Sequence, residues 1–231
     1  VVKTTKGAFM DKNLLLKSEL FMNISGEELS GLLSCLRARE KCYEKGEIVL
    51  HSGEKVHELG FVEAGSVNIT LNFYWGQSHI IGHIERGNIF AESYALLSDK
   101  ELKADVVVAE NARIIFFDMR GLLNICKNSC ASHQQMLKNL LIMSARKNLA
   151  LSSRMLHTAP KTIRERLLSY LSQMAIEKGS DEFVIPFSRQ ELADYLALDR
   201  SALSNELSKM RRDGFIDFKK NLFWLKNKRG L

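Results

Sequence analysis

The sequence predicts an α+β fold: a β-rich N-terminal body, a long helix, and a compact C-terminal unit in which short helices close on a β-hairpin. Three observations predict it. Residues from Cys42 to about Asp118 form short β-type runs punctuated by glycine. Residues from Met119 onward keep helical spacing for about forty residues. Ser188 to Leu225 reads as two short helices followed by two short apolar strands. At 231 residues, 45% hydrophobic and 26% charged, the chain is long enough for two ordinary domains with cores of their own.

The first forty residues open with a polar tail and then turn helical, through Leu14, Leu15, Leu16, Leu20 and Phe21, then Leu29, Leu32, Leu33 and Leu36. Ser25 followed by Glu28 is a capping box for the second of these helices. Next come the strand candidates: 48–50, 59–62, 67–71, 79–84, 104–108 and 113–117. Short strands at even spacing predict a β-sandwich or barrel, a body that can enclose a small ligand.

Within the long helix, Leu137, Leu140, Ser144, Asn148, Leu151 and Met155 follow steps of three and four. Such a seam needs a partner helix, so the chain is expected to be a homodimer, with Ser144 and Asn148 fixing register or facing a ligand. Thr158-Ala159-Pro160 breaks the pattern, and Pro160 is the natural hinge before a helix from Lys161 to Lys178. The expected organisation is a sensing body over 1–131, a dimerisation helix over 132–157 and a final domain over 158–231.

The C-terminal stretch is the most informative. Ser188 with Glu191 is a second capping box, starting a helix at Arg189 whose inner face is Leu192, Ala193 and Leu196. Asp199 caps a second helix with an apolar stripe of Leu203, Leu207 and Met210 and an opposite face of Arg200, Ser201, Ser204 and Asn205. Two short apolar strands then flank the basic turn Lys219-Lys220-Asn221. A helix-turn-helix followed by a β-hairpin is a winged helix, and its second helix suits a major groove. Charge agrees: residues 132–231 hold 18 Lys/Arg against 10 Asp/Glu, a net of +8, and residues 1–131 have a net of −2. Basic charge beside a groove-sized helix is the footprint of a nucleic-acid binder. No apolar run reaches the ~18 residues of a membrane helix, no apolar signal core opens the chain, and four cysteines are expected as thiols, so a cytoplasmic protein without a membrane partner is expected.

Lys45-Gly46-Glu47, Gly53-Glu54, Gly65-Ser66-Val67, Gly87-Asn88-Ile89-Phe90-Ala91-Glu92, Ser188-Arg189-Gln190-Glu191-Leu192-Ala193 and Arg200 through Leu207, in this order, resemble the Crp/Fnr family of bacterial transcription regulators over essentially the whole chain. The resemblance implies a cyclic-nucleotide-binding-like double-stranded β-helix, or β-roll, ahead of the winged helix. It implies a homodimer on a palindromic DNA operator, with recognition helices about one DNA turn, ~34 Å, apart and RNA polymerase as a further partner. By the same resemblance Arg200, Ser201, Ser204 and Asn205 face base edges, while Ser188, Arg189, Gln190, Lys219 and Lys220 contact phosphates. The effector pocket maps to Glu92, Ser93, Lys103 and Ala104, with Ser144 and Asn148 from the long helix. Three departures stand out. Ala197 occupies a turn position where relatives often have Gly, Asn205 stands where many have Arg, and Ala91 and Lys103-Ala104 replace the Gly and Arg-Ser/Thr of the cyclic-nucleotide cassette. A lysine gives a point charge where a cyclic phosphate wants a bidentate fork, so cyclic AMP is not expected as the effector and no cofactor is assigned.

The alternative is a β-barrel metalloenzyme, or a metal-, haem- or redox-sensing protein with an accessory helical domain. His79 and His83, four apart in a strand, would share a face, but His51 and His57 lack the His-x-His spacing of a cupin-type metal site. Cys126 and Cys130 would share a helix face as a redox or metal pair, and Cys35 and Cys42 read as structural. No catalytic residue is assigned.

Overall fold

The computed structural model describes residues 10–97, 99–123 and 131–226. The chain forms two compact units, Val1–Met143 and Ser144–Leu231. In the first unit, α1 (Lys12–Lys17), a 3-10 turn (Glu19–Phe21) and α2 (Gly26–Cys35) precede β1 (Arg39–Tyr43), β2 (Ile48–Leu50), β3 (Glu58–Asn72), β4 (Ser78–Glu85) and β5 (Ile89–Phe90). Then follow α3 (Glu92–Leu96), β6 (Asp105–Asp118), α4 (Met119–Leu123) and the long α5 (Ala131–Thr158), which continues into the second unit. The expected capping box of α2 is present, with Ser25 and Glu28 each bonding the other's backbone N–H.

The sheet runs β1-β6-β3-β4, with β2 on β6 and β5 on β3, all antiparallel. Runs 59–62 and 67–71, expected as separate strands, are one 15-residue strand, β3; runs 104–108 and 113–117 likewise join as β6. Gly65 reads as punctuation in the sequence but is the point where the paired strands shift register, at φ +73°. A Cβ there would lie 2.2 Å from the Asn111 carbonyl oxygen, so only glycine lets the chain pass.

Alternation along these strands builds two apolar layers. Phe61, Ile115 and Phe117 face the helices, joining Phe21, Leu29, Leu32, Met136 and Leu140. Val62, Ile114 and Phe116 point the other way, into the roll, with Val67, Phe90 and Val106. The start of α5 is therefore part of this core, and Asn139 fixes it by donating to the carbonyls of Leu20 and Met22 at 2.9 and 2.8 Å. Leu140, expected on the dimer seam, is 3% exposed within its own chain's core, while the next residue, Leu141, is 71% exposed. Replacing Leu140 by Leu141 gives Leu137, Leu141, Ser144, Asn148, Leu151 and Met155, an unbroken 4-3-4-3-4 spacing.

Two further expectations change. The β3–β4 register slips between Ile69 and Thr70, so His79 pairs with Leu71 and His83 with Asn68. Because Leu71 and Asn68 are an odd number apart, the two histidines fall on opposite faces and share no ligand position. His83 Nδ1 instead lies 2.7 Å from Asn68 Oδ1, and His79 packs edge-on to Phe73. Cys35 and Cys42, expected as structural thiols, are free and exposed. Cys126 and Cys130 lie outside the described residues. Among the described residues no helix is long and apolar enough to cross a membrane, and no group of three or more His, Cys, Asp or Glu gathers as a metal site.

The second unit contains the end of α5, then α6 (Ile163–Lys178), β7 (Glu182–Val184), α7 (Arg189–Tyr195), α8 (Arg200–Arg212), β8 (Ile216–Lys219) and β9 (Leu222–Leu225), with sheet order β7-β9-β8. Thr162 and Glu165 form a capping box at the start of α6. Leu167, Leu171, Leu192, Leu203, Leu207, Met210 and Phe223 close the core.

Candidate nucleic-acid interface

The helix-turn-helix is built by local rules. Ser188 Oγ accepts the Glu191 N–H and Glu191 reaches back to the Ser188 N–H, which starts α7 at Arg189. Those bonds hold the Glu191 carboxyl below its ordinary range, the Ser188 N–H first among the causes. Asp199 accepts from the backbone of Ser201 and Ala202 and starts α8. The hydroxyl of Ser201 lowers the Asp199 carboxyl furthest, and the two backbone N–H groups add to it. Between the helices Ala197 takes φ 53°, the left-handed turn expected of a glycine.

Leu203, Leu207 and Met210 bury the inner face of α8, while Arg200, Ser201 and Asn205 are exposed and Ser204 is half-buried. Ser201 gives its hydroxyl proton to Asp199 and Ser204 gives its own to the Arg200 carbonyl at 2.9 Å. Both serines thus present acceptor lone pairs outward, beside a cation and an amide, a mixed set suited to base edges. From behind, Arg164 of α6 grips Glu206 and Asp213 at 2.6 Å each and fixes α8 to the unit. Those two acceptors raise the Arg164 guanidinium above its ordinary value.

The phosphate set divides in two. Lys219 and Lys220 are exposed at the wing turn, with Lys220 at φ 57°, and Gln190 is exposed on α7 but bonded to Asp194. Arg189 is different. Its guanidinium lies over Phe218 and Phe223 at 5.1 and 5.7 Å and donates to the Lys220 carbonyl at 3.2 Å; burial pulls its pKa down. Expected as a phosphate contact, it holds the wing turn against the start of α7. Ser188, Arg189, Lys220 and Asn221 line a common hollow there. Arg211, in the last turn of α8, is bound to Asp217 at 2.7 Å.

The sequence matches the family model of the cyclic nucleotide-binding domain over residues 40–129 and that of the Crp-like helix-turn-helix domain over 165–231, together more than half of the chain. The chain belongs to the Crp/Fnr family. It is similar to the transcriptional activator protein FnrL of Cereibacter sphaeroides, 25% identical over 194 residues that cover 76% of this chain and 71% of the relative. Two solved structures share the fold. The catabolite activator protein of Thermus thermophilus has a TM-score of 0.50 at 19% identity, covering 90% of this chain and 94% of that one. CprK complexed with OCPA has a TM-score of 0.57 at 16% identity, covering 87% and 92%.

This Crp/Fnr chain is therefore a DNA-binding transcription regulator rather than an enzyme, with α7 and α8 as its helix-turn-helix and β8–β9 as the hairpin that follows. The residues expected at an effector differ from the cyclic-nucleotide pattern in side chain rather than in backbone. Ala91 adopts φ 60° immediately before Glu92, where the cyclic-nucleotide pattern has glycine. Ala104 is buried and offers no hydroxyl, and Ser93 is exposed. Lys103 lines an open hollow with Ser52, Lys55, Leu71 and Tyr94, and Glu92 is not among the residues lining it. Ser144 and Asn148 are exposed on α5.

Proposed function

We propose that this regulator works as a homodimer joined along α5, reading a palindromic operator with one α8 from each protomer. The sensing body is residues 1–131, the dimerisation helix 132–157 and the DNA-binding domain 158–231. The observation that carries it is the seam. Leu137 (38% exposed), Leu141, Leu151 and Met155 (68% each for the last two) lie on one stripe of α5 at heptad spacing. Four large apolar side chains on one solvent-facing stripe lose their burial energy in a single chain, and a second copy restores it at ~25 cal/mol per Å². Ser144 and Asn148 interrupt the stripe at its centre, and a polar pair there selects two strands in register.

Base readout falls to Arg200, Ser201, Ser204 and Asn205, with Arg200 donating to guanine O6 and N7 and Asn205 pairing with adenine N6 and N7. Lys219, Lys220, Gln190 and the Ser188 end of α7 meet phosphates, with Arg189 orienting the wing. The effector is a small molecule other than cyclic AMP, or none, acting near Glu92, Ser93, Lys103, Ala104, Ser144 and Asn148. An effector shifts the dimer between arrangements only by its differential affinity for them. The protein acts in the cytoplasm with RNA polymerase. Sedimentation or light scattering with and without a palindromic duplex tests the assembly: two protomers per duplex are expected, and a monomer bound at full affinity would refute it. Titration with cyclic AMP is expected to leave DNA affinity unchanged.

A further inference from the structure

His157, next to last in α5, is 3% exposed, and both of its ring nitrogens are engaged. Nε2 lies 2.8 Å from Gln173 Oε1 and Nδ1 lies 3.0 Å from Tyr195 Oη. Gln173 gives its own amide N–H to Glu177 at 2.7 Å, so its oxygen accepts from His157 Nε2–H and Nδ1 accepts the Tyr195 hydroxyl. The imidazole packs edge-on to Tyr170 at 5.4 Å and against Tyr195 at 5.8 Å. One turn earlier, Arg154 donates to the Asp194 and Tyr195 carbonyls at 2.8 and 3.0 Å. These carbonyls close α7, where the last C=O groups and the negative end of the helix dipole attract a cation. Arg166 of α6 takes the next two, Leu196 and Ala197, together with Pro160 in the linker. Four successive carbonyls, 194–197, thus each accept from one of two arginines, one of them on the helix that carries the proposed dimer seam.

We infer that Arg154 and His157 are positioning residues that bolt the helix-turn-helix to the end of α5, so that the half-site spacing accepted by the dimer is set at this contact. The inference rests on the homodimer reading above. A linker of four residues, Ala159 to Thr162, lets a domain swing about Pro160. Hydrogen bonds from α5 to the far end of α7 remove that freedom and fix the direction in which α8 points. Neither residue belongs to the base-reading face, so their effect is on geometry between readers and not on contacts within one.

The test uses the full chain and a family of palindromic duplexes whose half-sites differ in spacing by one base pair, beside a single half-site duplex. Each added base pair moves a half-site by ~3.4 Å and turns it by about a tenth of a helical turn, enough to misalign a rigid reader. The wild type is expected to favour one spacer over its neighbours by about tenfold or more. Arg154→Ala and His157→Ala are expected to flatten that preference to within about threefold while half-site affinity changes less than about twofold. Tyr195→Phe, which removes only the hydroxyl, is expected to fall between. Variants that keep the spacer preference, or that lose half-site and palindrome affinity in the same proportion, would overturn the inference. A wild type with no preference for a palindrome over a half-site would overturn the dimer reading itself.

Discussion

Ala197→Gly should stabilise the second unit. Ala197 holds φ 53°, and a left-handed L-residue costs roughly 1–2 kcal/mol because its Cβ crowds the following carbonyl oxygen. Glycine removes that crowding but adds about 0.5–1 kcal/mol of backbone entropy to the unfolded chain. The methyl is exposed, so no apolar burial is lost, and the turn's bonds are to backbone: Ala197 N–H to the Asp194 carbonyl and Arg166 to the Ala197 carbonyl, both at 3.3 Å. The net is a gain of about 0.5–1 kcal/mol. Urea unfolding followed by tryptophan fluorescence checks it, as a rise in midpoint at unchanged slope. Ala91→Gly, at φ 60°, should gain less, because Ala91 packs against the interior layer of the roll and its methyl is partly buried. A loss of stability in Ala197→Gly would refute the claim that the turn is strained.

Leu141→Glu should dissociate the dimer in light scattering while leaving the melting of the monomer nearly unchanged, whereas Leu140→Ala, inside the core, should cost about 2–5 kcal/mol of folding stability. Lys219→Ala and Lys220→Ala should each reduce the salt dependence of DNA binding, by about 0.9 in the log–log slope per phosphate contact and protomer, with little change in sequence preference. Arg200→Ala should relax discrimination at one base pair per half-site by about 1–3 kcal/mol and barely change non-specific affinity, measured against an operator library. Glu40 shares Arg113 with the buried Glu63, at 3.4 and 2.5 Å; burial first, then the Glu63 charge, raise its pKa, and Arg113 offsets only part. Since the folded state holds that proton more tightly than the unfolded chain, the wild type loses stability as pH rises above the ordinary carboxylate range. Glu40→Gln should therefore gain on the wild type between about pH 4 and neutrality, seen as diverging urea midpoints; a pH-independent difference would contradict it.

What was legible in the sequence was whatever local rules decide. Capping boxes at Ser25 and Ser188, the Asp199 cap and the Leu203, Leu207, Met210 stripe fixed helix starts and inner faces, because caps and periodicity act within one turn. The differences are mostly non-local. Leu140 and Leu141 are both apolar at seam-compatible steps, and only the docking of α5 on Phe21 and Phe117 decides which one is buried. The His79–His83 pairing failed on a β-bulge that no residue type announces. One difference is local: Thr162 with Glu165 carries the same capping-box signature as Ser25 and Ser188, directly after the Pro160 break. Charge was legible as a sum but not residue by residue: Arg154, Arg164, Arg166, Arg189 and Arg211 each serve an internal partner, whereas Arg200, Lys219 and Lys220 are exposed. Ala197 stands where relatives often have Gly, and the backbone keeps the left-handed turn at φ 53° in spite of the side chain.

The most direct test of a two-fold DNA reader is the affinity of the full chain for a palindromic duplex from its own promoter region and for a scrambled one, measured from 50 to 200 mM salt. The account predicts two protomers per palindrome, an affinity at least ~10³-fold above the scrambled duplex, and a steep fall with salt on both. Equal affinity for the two duplexes, or binding indifferent to salt, would contradict it.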